Sequence, residues 1–207
     1  GSAAETAAMI GHGGNDSDAD QLGSITLAST NDGALNVRGG SGLEANAQIG
    51  HGGFEATGNQ SGSISIGTAG NEFGTILIQG GSAQDTHAQI GHGGRGHGNN
   101  NNDGNKGIAA DTIGVLATGN ITLQGGTFNN SHAMIGNGGL DVEGTSAADI
   151  SVATSGGSIS ILGGNVVGQD DAFAQIGHGG AQATGITTMG DITVSASGGL
   201  ILTAGAG

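Results

Sequence analysis

The chain contains no cysteine, no proline, no tryptophan and no tyrosine, and only four phenylalanines in 207 residues. Without cysteine there is no disulfide framework, which is compatible with secretion but does not establish it. Without large aromatics a wide core cannot be filled, although a narrow one can be, by stacked aliphatics. Basic residues are equally scarce. Arg38, Arg95 and Lys106 stand against 17 acidic residues, for a formal charge of −14. Nothing in that set could neutralise a row of phosphates, so nucleic acid and anionic membrane surfaces are excluded as expected partners, whereas divalent cations and basic surfaces are electrostatically compatible. No apolar run approaches the ~20 residues needed to cross a bilayer, so no membrane insertion is expected. Gly1-Ser2 reads as a cleavage remnant, and the chain as a piece of a longer protein.

What is abundant is glycine, 48 residues. There is no G-X-Y period, which rules out collagen. Ile, Val and Leu recur at fixed offsets, which argues for order rather than a disordered low-complexity tract. The clearest recurrence is Ala47-Gln48-Ile49-Gly50-His51-Gly52-Gly53. It returns unchanged at 88–94 and 174–180, with Met9 for Gln at 8–14, and with Met134 and Asn137 at 133–139. The starts at Ala8, Ala47, Ala88, Ala133 and Ala174 are 39, 41, 45 and 41 residues apart. A period of this size is the signature of a stacked repeat.

Each repeat carries three short apolar-x-apolar segments. In the second they are Ala47-Gln48-Ile49, Ile64-Ser65-Ile66 and Ile76-Leu77-Ile78. Period-two alternation bounded by Gly, Asn and Ser predicts strands. The first two segments keep a separation of 15 or 16 residues, except in the third repeat, where it is 23. Positions that hold register while loops vary predict stacked rungs with insertions pushed outward. The expected fold is therefore all-β: a right-handed parallel β-helix, or solenoid, of about five coils with three short strands per repeat of roughly 41 residues. At ~4.8 Å per coil the rod would be about 24 Å long. The chain is expected to form one solenoid unit over 1–207, with repeats at 8–46, 47–87, 88–132, 133–173 and 174–207. A protruding loop is expected at 95–107, and the Gly-Gly pairs at 39–40, 80–81, 125–126 and 163–164 are expected to take positive φ at corners.

Two segments carry a family resemblance. Residues 190–202 (GDITVSASGGLIL) and 119–126 (GNITLQGG) resemble filamentous-haemagglutinin-like exoproteins of Gram-negative bacteria. The resemblance implies a large β-helical adhesin exported by two-partner secretion, extracellular or on the bacterial cell surface, and acting in attachment, aggregation or biofilm matrix. Its partners would be other cells, matrix polysaccharide or a protein receptor. A repeat of ~41 residues is about twice the usual coil of that family, so one repeat could be one wide coil or two narrow ones.

Candidate chemistry falls on two groups. Stacking would put His12, His51, His92 and His178 in one row with Asn137, either as ligands for Zn²⁺ or as a structural ladder at a corner. Asp16, Asp18 and Asp20 alternate in a turn that could take Ca²⁺, although the Gly and terminal Glu of an EF-hand loop are missing. No other cofactor is expected. Catalysis is not expected either, because no arrangement of nucleophile and base stands out and the groove aromatics of β-helical polysaccharide lyases are lacking. An ice-binding face would need a regular Thr ladder, and the middle positions read Thr26, Ser65, Gly114, Ser151 and Thr193. The expected function is a rigid stalk or adhesive segment. The alternative is a module that binds cations or glycans in its turns. Either way, exposed coil ends would be able to associate end to end.

Overall fold

The computed structural model describes residues 6–96, 104–165, 171–184 and 187–205. Every regular element among them is a strand, and every strand pairing is parallel to its counterpart one repeat away. The chain is a parallel β-helix. Ile10, Ile49, Ile90, Ile135 and Ile176 pair in one unbroken row. One repeat is therefore one wide coil, because a residue and its equivalent in the next repeat are direct neighbours across the ladder.

Four five-stranded sheets run the length of the stack. The AQI sheet contains Ala7–Ile10, Asn46–Ile49, Ala88–Ile90, Ala133–Ile135 and Ala174–Ile176. The isoleucine sheet contains Ile25–Leu27, Ile64–Ile66, Thr112–Ala117, Asp149–Thr154 and Ile192–Ala196. The closing sheet contains Ala34–Arg38, Thr75–Gln79, Ile121–Gln124, Ser158–Leu162 and Gly199–Thr203. These three are the strands the alternation predicts. The fourth is a glycine sheet that the alternation does not flag: Gly13–Asn15, Gly52–Phe54, Gly93–Arg95, Gly138–Leu140 and Gly179–Ala181. A short fifth column follows it, pairing Gln21–Leu22 with Gln60–Ser61 and Ser146–Ala147 with Thr188–Met189. Single bridges through Lys106 join the two halves.

The aliphatic core lies between the AQI, isoleucine and closing sheets. Ile64, Ile66, Ile76, Ile78, Ile90, Ile121 and Ile135 are among its fully buried members. Alternation turns Gln48, Gln89 and Met134 away from it, yet they are buried as well. The glycine sheet folds back over that second side, so the AQI sheet is covered on both faces. Gln48 ties it down, because its Nε2 donates to the carbonyls of His51, Gly91 and Gly93.

The backbone makes this sharp fold-back at the Gly-His-Gly-Gly turn. At Gly91 (φ 147°) an added Cβ would lie 1.9 Å from the carbonyl oxygen of Gly136 in the next coil. The Gly-Gly pairs serve a different purpose from the one expected. None of them takes a positive φ. They are needed because coils approach too closely for a side chain, as at Gly80, where a Cβ would lie 2.1 Å from the oxygen of Ser131. Positive φ recurs instead at two polar corner columns, Asp16, Glu55, Asp141 and Gln182, and Glu44, Asp85, Asn130 and Asp171. Asp and Asn are among the non-glycine residues that best tolerate this conformation. Part of the acidic composition is thus a requirement of the turns.

The loop expected at 95–107 is narrower than its sequence suggests. Arg95 ends a strand and is buried, and Lys106 is fully buried in the fifth column. Residues 97–103 lie outside the described residues. Both cations have local reasons to be inside. Arg95 bridges Glu44 (3.2 Å) and Asp85 (3.1 Å) across two coils and lies 5.5 Å over the Phe54 ring. Lys106 Nζ donates to the carbonyls of Gly104 and Glu143.

Candidate functional site: the histidine ladder

His12, His51 and His92 stack face to face, with ring centroids 5.0 and 4.9 Å apart. The rings of His51, His92 and His178 each join two coils and two sheets. The main-chain N–H of His12 donates to His51 Nδ1 (2.9 Å), that of His51 to His92 Nδ1 (3.0 Å), and that of Asn137 to His178 Nδ1 (3.0 Å). A backbone N–H is always a donor, so Nδ1 must be unprotonated and Nε2 must carry the proton. Nε2 then donates to a carbonyl in the turn before the isoleucine sheet: Gly23 for His51 (2.7 Å), Gly62 for His92 (2.7 Å) and Ala148 for His178 (2.8 Å).

Asn137 replaces histidine without breaking the chain of bonds. Its Oδ1 accepts from the His92 N–H (2.8 Å), as Nδ1 would, and its Nδ2 donates to the carbonyls of Lys106 (3.1 Å) and Ala147 (2.9 Å). The position therefore requires an acceptor and a donor set apart by a short planar group.

Burial lowers the pKa of His51 and His178, partly offset by the carbonyl each ring bonds, and takes His92 down to about 4. A proton on Nδ1 would also confront an N–H that has nowhere else to donate. The rings of His51, His92 and His178 are thus neutral struts with both nitrogens occupied, leaving no lone pair for Zn²⁺. His12 contributes its stacked ring and its N–H to the same column.

The Asp16, Asp18 and Asp20 turn is also committed to coil-to-coil bonding. Asp18 Oδ1 accepts from Thr57 Oγ1, and Asp20 Oδ1 accepts from both the N–H and the side-chain amide of Asn59. The relay continues when Asn59 Oδ1 takes the N–H of Asn105, and Asn105 Oδ1 that of Thr145. Asp16 holds a corner at φ 51°. The three carboxylates are not gathered around one point. Among the described residues no three His, Cys, Asp or Glu side chains converge as ligands.

A second ring column was not recognised in the sequence. It occupies the residue before Ala47, Ala88, Ala133 and Ala174, which is Asn46, with no ring, and then His87, His132 and Phe173. His87 and His132 stack at 5.0 Å, and His132 and Phe173 at 4.7 Å. Both imidazoles are fully buried, and none of their four ring nitrogens has a hydrogen-bond partner. Desolvation is the main cause of their lowered pKa values, with the nearby Arg95 charge acting in the same direction. His87 falls to about 3 and His132 well below its ordinary value. The only trace in the sequence is His at 87 and 132, one residue before the motif, too sparse a pattern to separate from chance.

Asn137→Leu is expected to lower stability by about 2 kcal/mol or more, since it strands the buried His92 N–H and removes the amide bond to the Ala147 carbonyl at about 1–3 kcal/mol apiece, while the Lys106 carbonyl keeps the Ala147 N–H. Asn137→His should cost less, because Nδ1 and Nε2 replace the acceptor and one donor. Denaturant midpoints compare the two. Equal losses would mean that the ladder bonds are not what holds this position.

These features define a class, the parallel β-solenoids, whose side-chain ladders bond one coil to the next. No protein-family model, no curated protein and no solved structure matches the chain.

Proposed function

We propose that this chain is a rigid, non-catalytic spacer in a filamentous-haemagglutinin-like bacterial exoprotein, carried to the cell surface by two-partner secretion and used in attachment or biofilm-matrix contact. The observation that supports this most is the unbroken register of four sheets through five coils, with side-chain relays parallel to the axis along the histidine column and the Asp20–Asn59–Asn105 turn. Such a build resists bending and stretching along its length, because adjacent coils share backbone hydrogen bonds on every face. The surface charge agrees with this reading. With Arg95 and Lys106 buried, Arg38 is the one exposed Lys or Arg among the described residues. Basic or uncharged partners, such as a receptor protein or matrix polysaccharide, suit that anionic surface better than nucleic acid.

Pulling single molecules from their two ends tests the spacer. The expected trace holds under load and then lengthens in coil-sized steps, each releasing roughly 140 Å for ~41 residues at ~3.4 Å per residue. Smooth lengthening from the lowest loads would remove the proposal. Calorimetric titration with Ca²⁺ and Zn²⁺ is expected to show no heat. Saturable heat with a raised melting temperature would favour a cation-binding module instead.

A further inference from the structure

We propose that the outward face of the closing sheet binds an uncharged, extended glycan of β-1,4-linked sugars laid along the axis. This rests on the reading of the chain as a spacer that makes surface contacts, and it names the face and the partner. Six side chains form the middle of the face. Leu77, Thr122 and Ser160 make one column, and Gln79, Gln124 and Leu162 make the next. Their strand neighbours Ile76, Ile78, Ile121, Leu123 and Ile159 are buried, so alternation turns the six outward, where all are partly exposed. They belong to the second, third and fourth coils, each of which has a coil on either side.

Charge sets this face apart. Of the 17 acidic residues, none lies in the five strands of the closing sheet. Acids gather instead in the flanking turns, at Asp32 and Glu72 before the sheet and at Glu44 and Asp85 after it. The isoleucine sheet differs, with Asp149 in one strand and the short Ser65, Gly114 and Ser151 in its outward middle column. An anionic ligand on the closing sheet would meet acidic turns on both sides, and a cationic one would settle on those turns. What the face itself offers is neutral: two amides that each donate and accept, two hydroxyls and two leucines. A sugar ring presents the matching mixture, with hydroxyls around its rim and C–H groups on its faces.

Spacing agrees with this partner. Register is unbroken along the sheet, so equivalent side chains recur every ~4.8 Å. A β-1,4-linked chain is a flat ribbon that advances by about one such rung per sugar. The amides of Gln79 and Gln124 would then meet successive sugars, with Leu77 and Leu162 against their C–H faces. A protein partner suits the face less. It measures about 24 Å by about 17 Å, roughly 400 Å², which is half of the ~800 Å² per partner in a stable protein contact. A second copy would also bring its own acidic turns. A single glycan needs only a narrow strip.

Native electrophoresis through gels containing glucomannan, an uncharged β-1,4-linked polymer, tests the proposal. The chain is expected to be retarded in proportion to the polymer present, and not to be retarded by polymannuronate, a charged counterpart. Gln79→Glu and Gln124→Glu keep the side-chain shape, replace an amide donor by a carboxylate, and should each weaken binding about tenfold. The double variant should run as if the gel held no glucomannan, with the parent's melting temperature. Ser151→Glu adds the same charge to the isoleucine sheet and should be retarded like the parent. No retardation of the parent, equal retardation by polymannuronate, or a double variant that still binds would each overturn the proposal. A parent that sediments as a dimer, with the double variant a monomer, would give the face to a second copy and overturn it as well. Pulling single molecules involves no glycan, so a rod that holds under load but ignores glucomannan loses this proposal and keeps the spacer.

Discussion

Ile49→Asp is expected to leave the chain without a cooperative melting transition. Ile49 is 3% exposed and lies in register between Ile10 and Ile90, with the aliphatic side of the AQI sheet around it. Losing the side chain would by itself cost about 2–5 kcal/mol. An ionised carboxylate buried without a partner adds several more. The sum reaches the whole of a typical domain's stability of about 5–15 kcal/mol. Ser151→Asp is the control, since it lies exposed on the outward side of the isoleucine sheet and should melt like the parent. If Ile49→Asp also melts like the parent, the core has been placed on the wrong side of the strand.

Acid is expected to unfold the solenoid through its histidines. His87, His92 and His132 are neutral in the fold and regain an ordinary value near 6.5 once unfolded. Below that value the unfolded chain therefore binds more protons than the folded one. Their contribution is complete above pH 6.5 and declines as pH falls, levelling near pH 4 for His92 and near pH 3 for His87. Each such group contributes a slope of about 1.4 kcal/mol per pH unit, so three act at ~4 kcal/mol per unit. Two units of acidification would then consume most of a domain's usual stability. Melting temperature against pH, with proton uptake measured on unfolding, checks this. His132→Phe extends the ring column already begun by Phe173 and should flatten the dependence by about one histidine. A melting temperature indifferent to pH between 7 and 4.5 would refute the linkage.

Both expectations trace to residues of very different legibility. Ile49 could be assigned to the core from spacing alone, because coils that pair in register force equivalent residues into rows, and the row is printed along the chain as a period. The histidine ladder was visible as a column for the same reason. Its chemistry was not. That a ring nitrogen meets a carbonyl 28 to 30 residues earlier in the chain, as His51 meets Gly23 and His92 meets Gly62, depends on how the turn carries the chain from one sheet to another. Asn137 was the clue, since amide and imidazole share the donor–acceptor pair but not the affinity for metal.

The amino-acid sequence by itself determined the repeat, its register, its three aliphatic strands and its apolar interior, since these follow from a pattern read one period apart, but not that each repeat closes as one wide coil. Only the tertiary structure decided what covers the other side of the AQI strands, and with it the burial of Arg95, Lys106, His87 and His132. Alternation states which side chains share a face. Whether that face meets water or another part of the chain depends on the path of a glycine-rich turn, and a charge is drawn inside only where carboxylates or carbonyls from distant segments arrive to meet it.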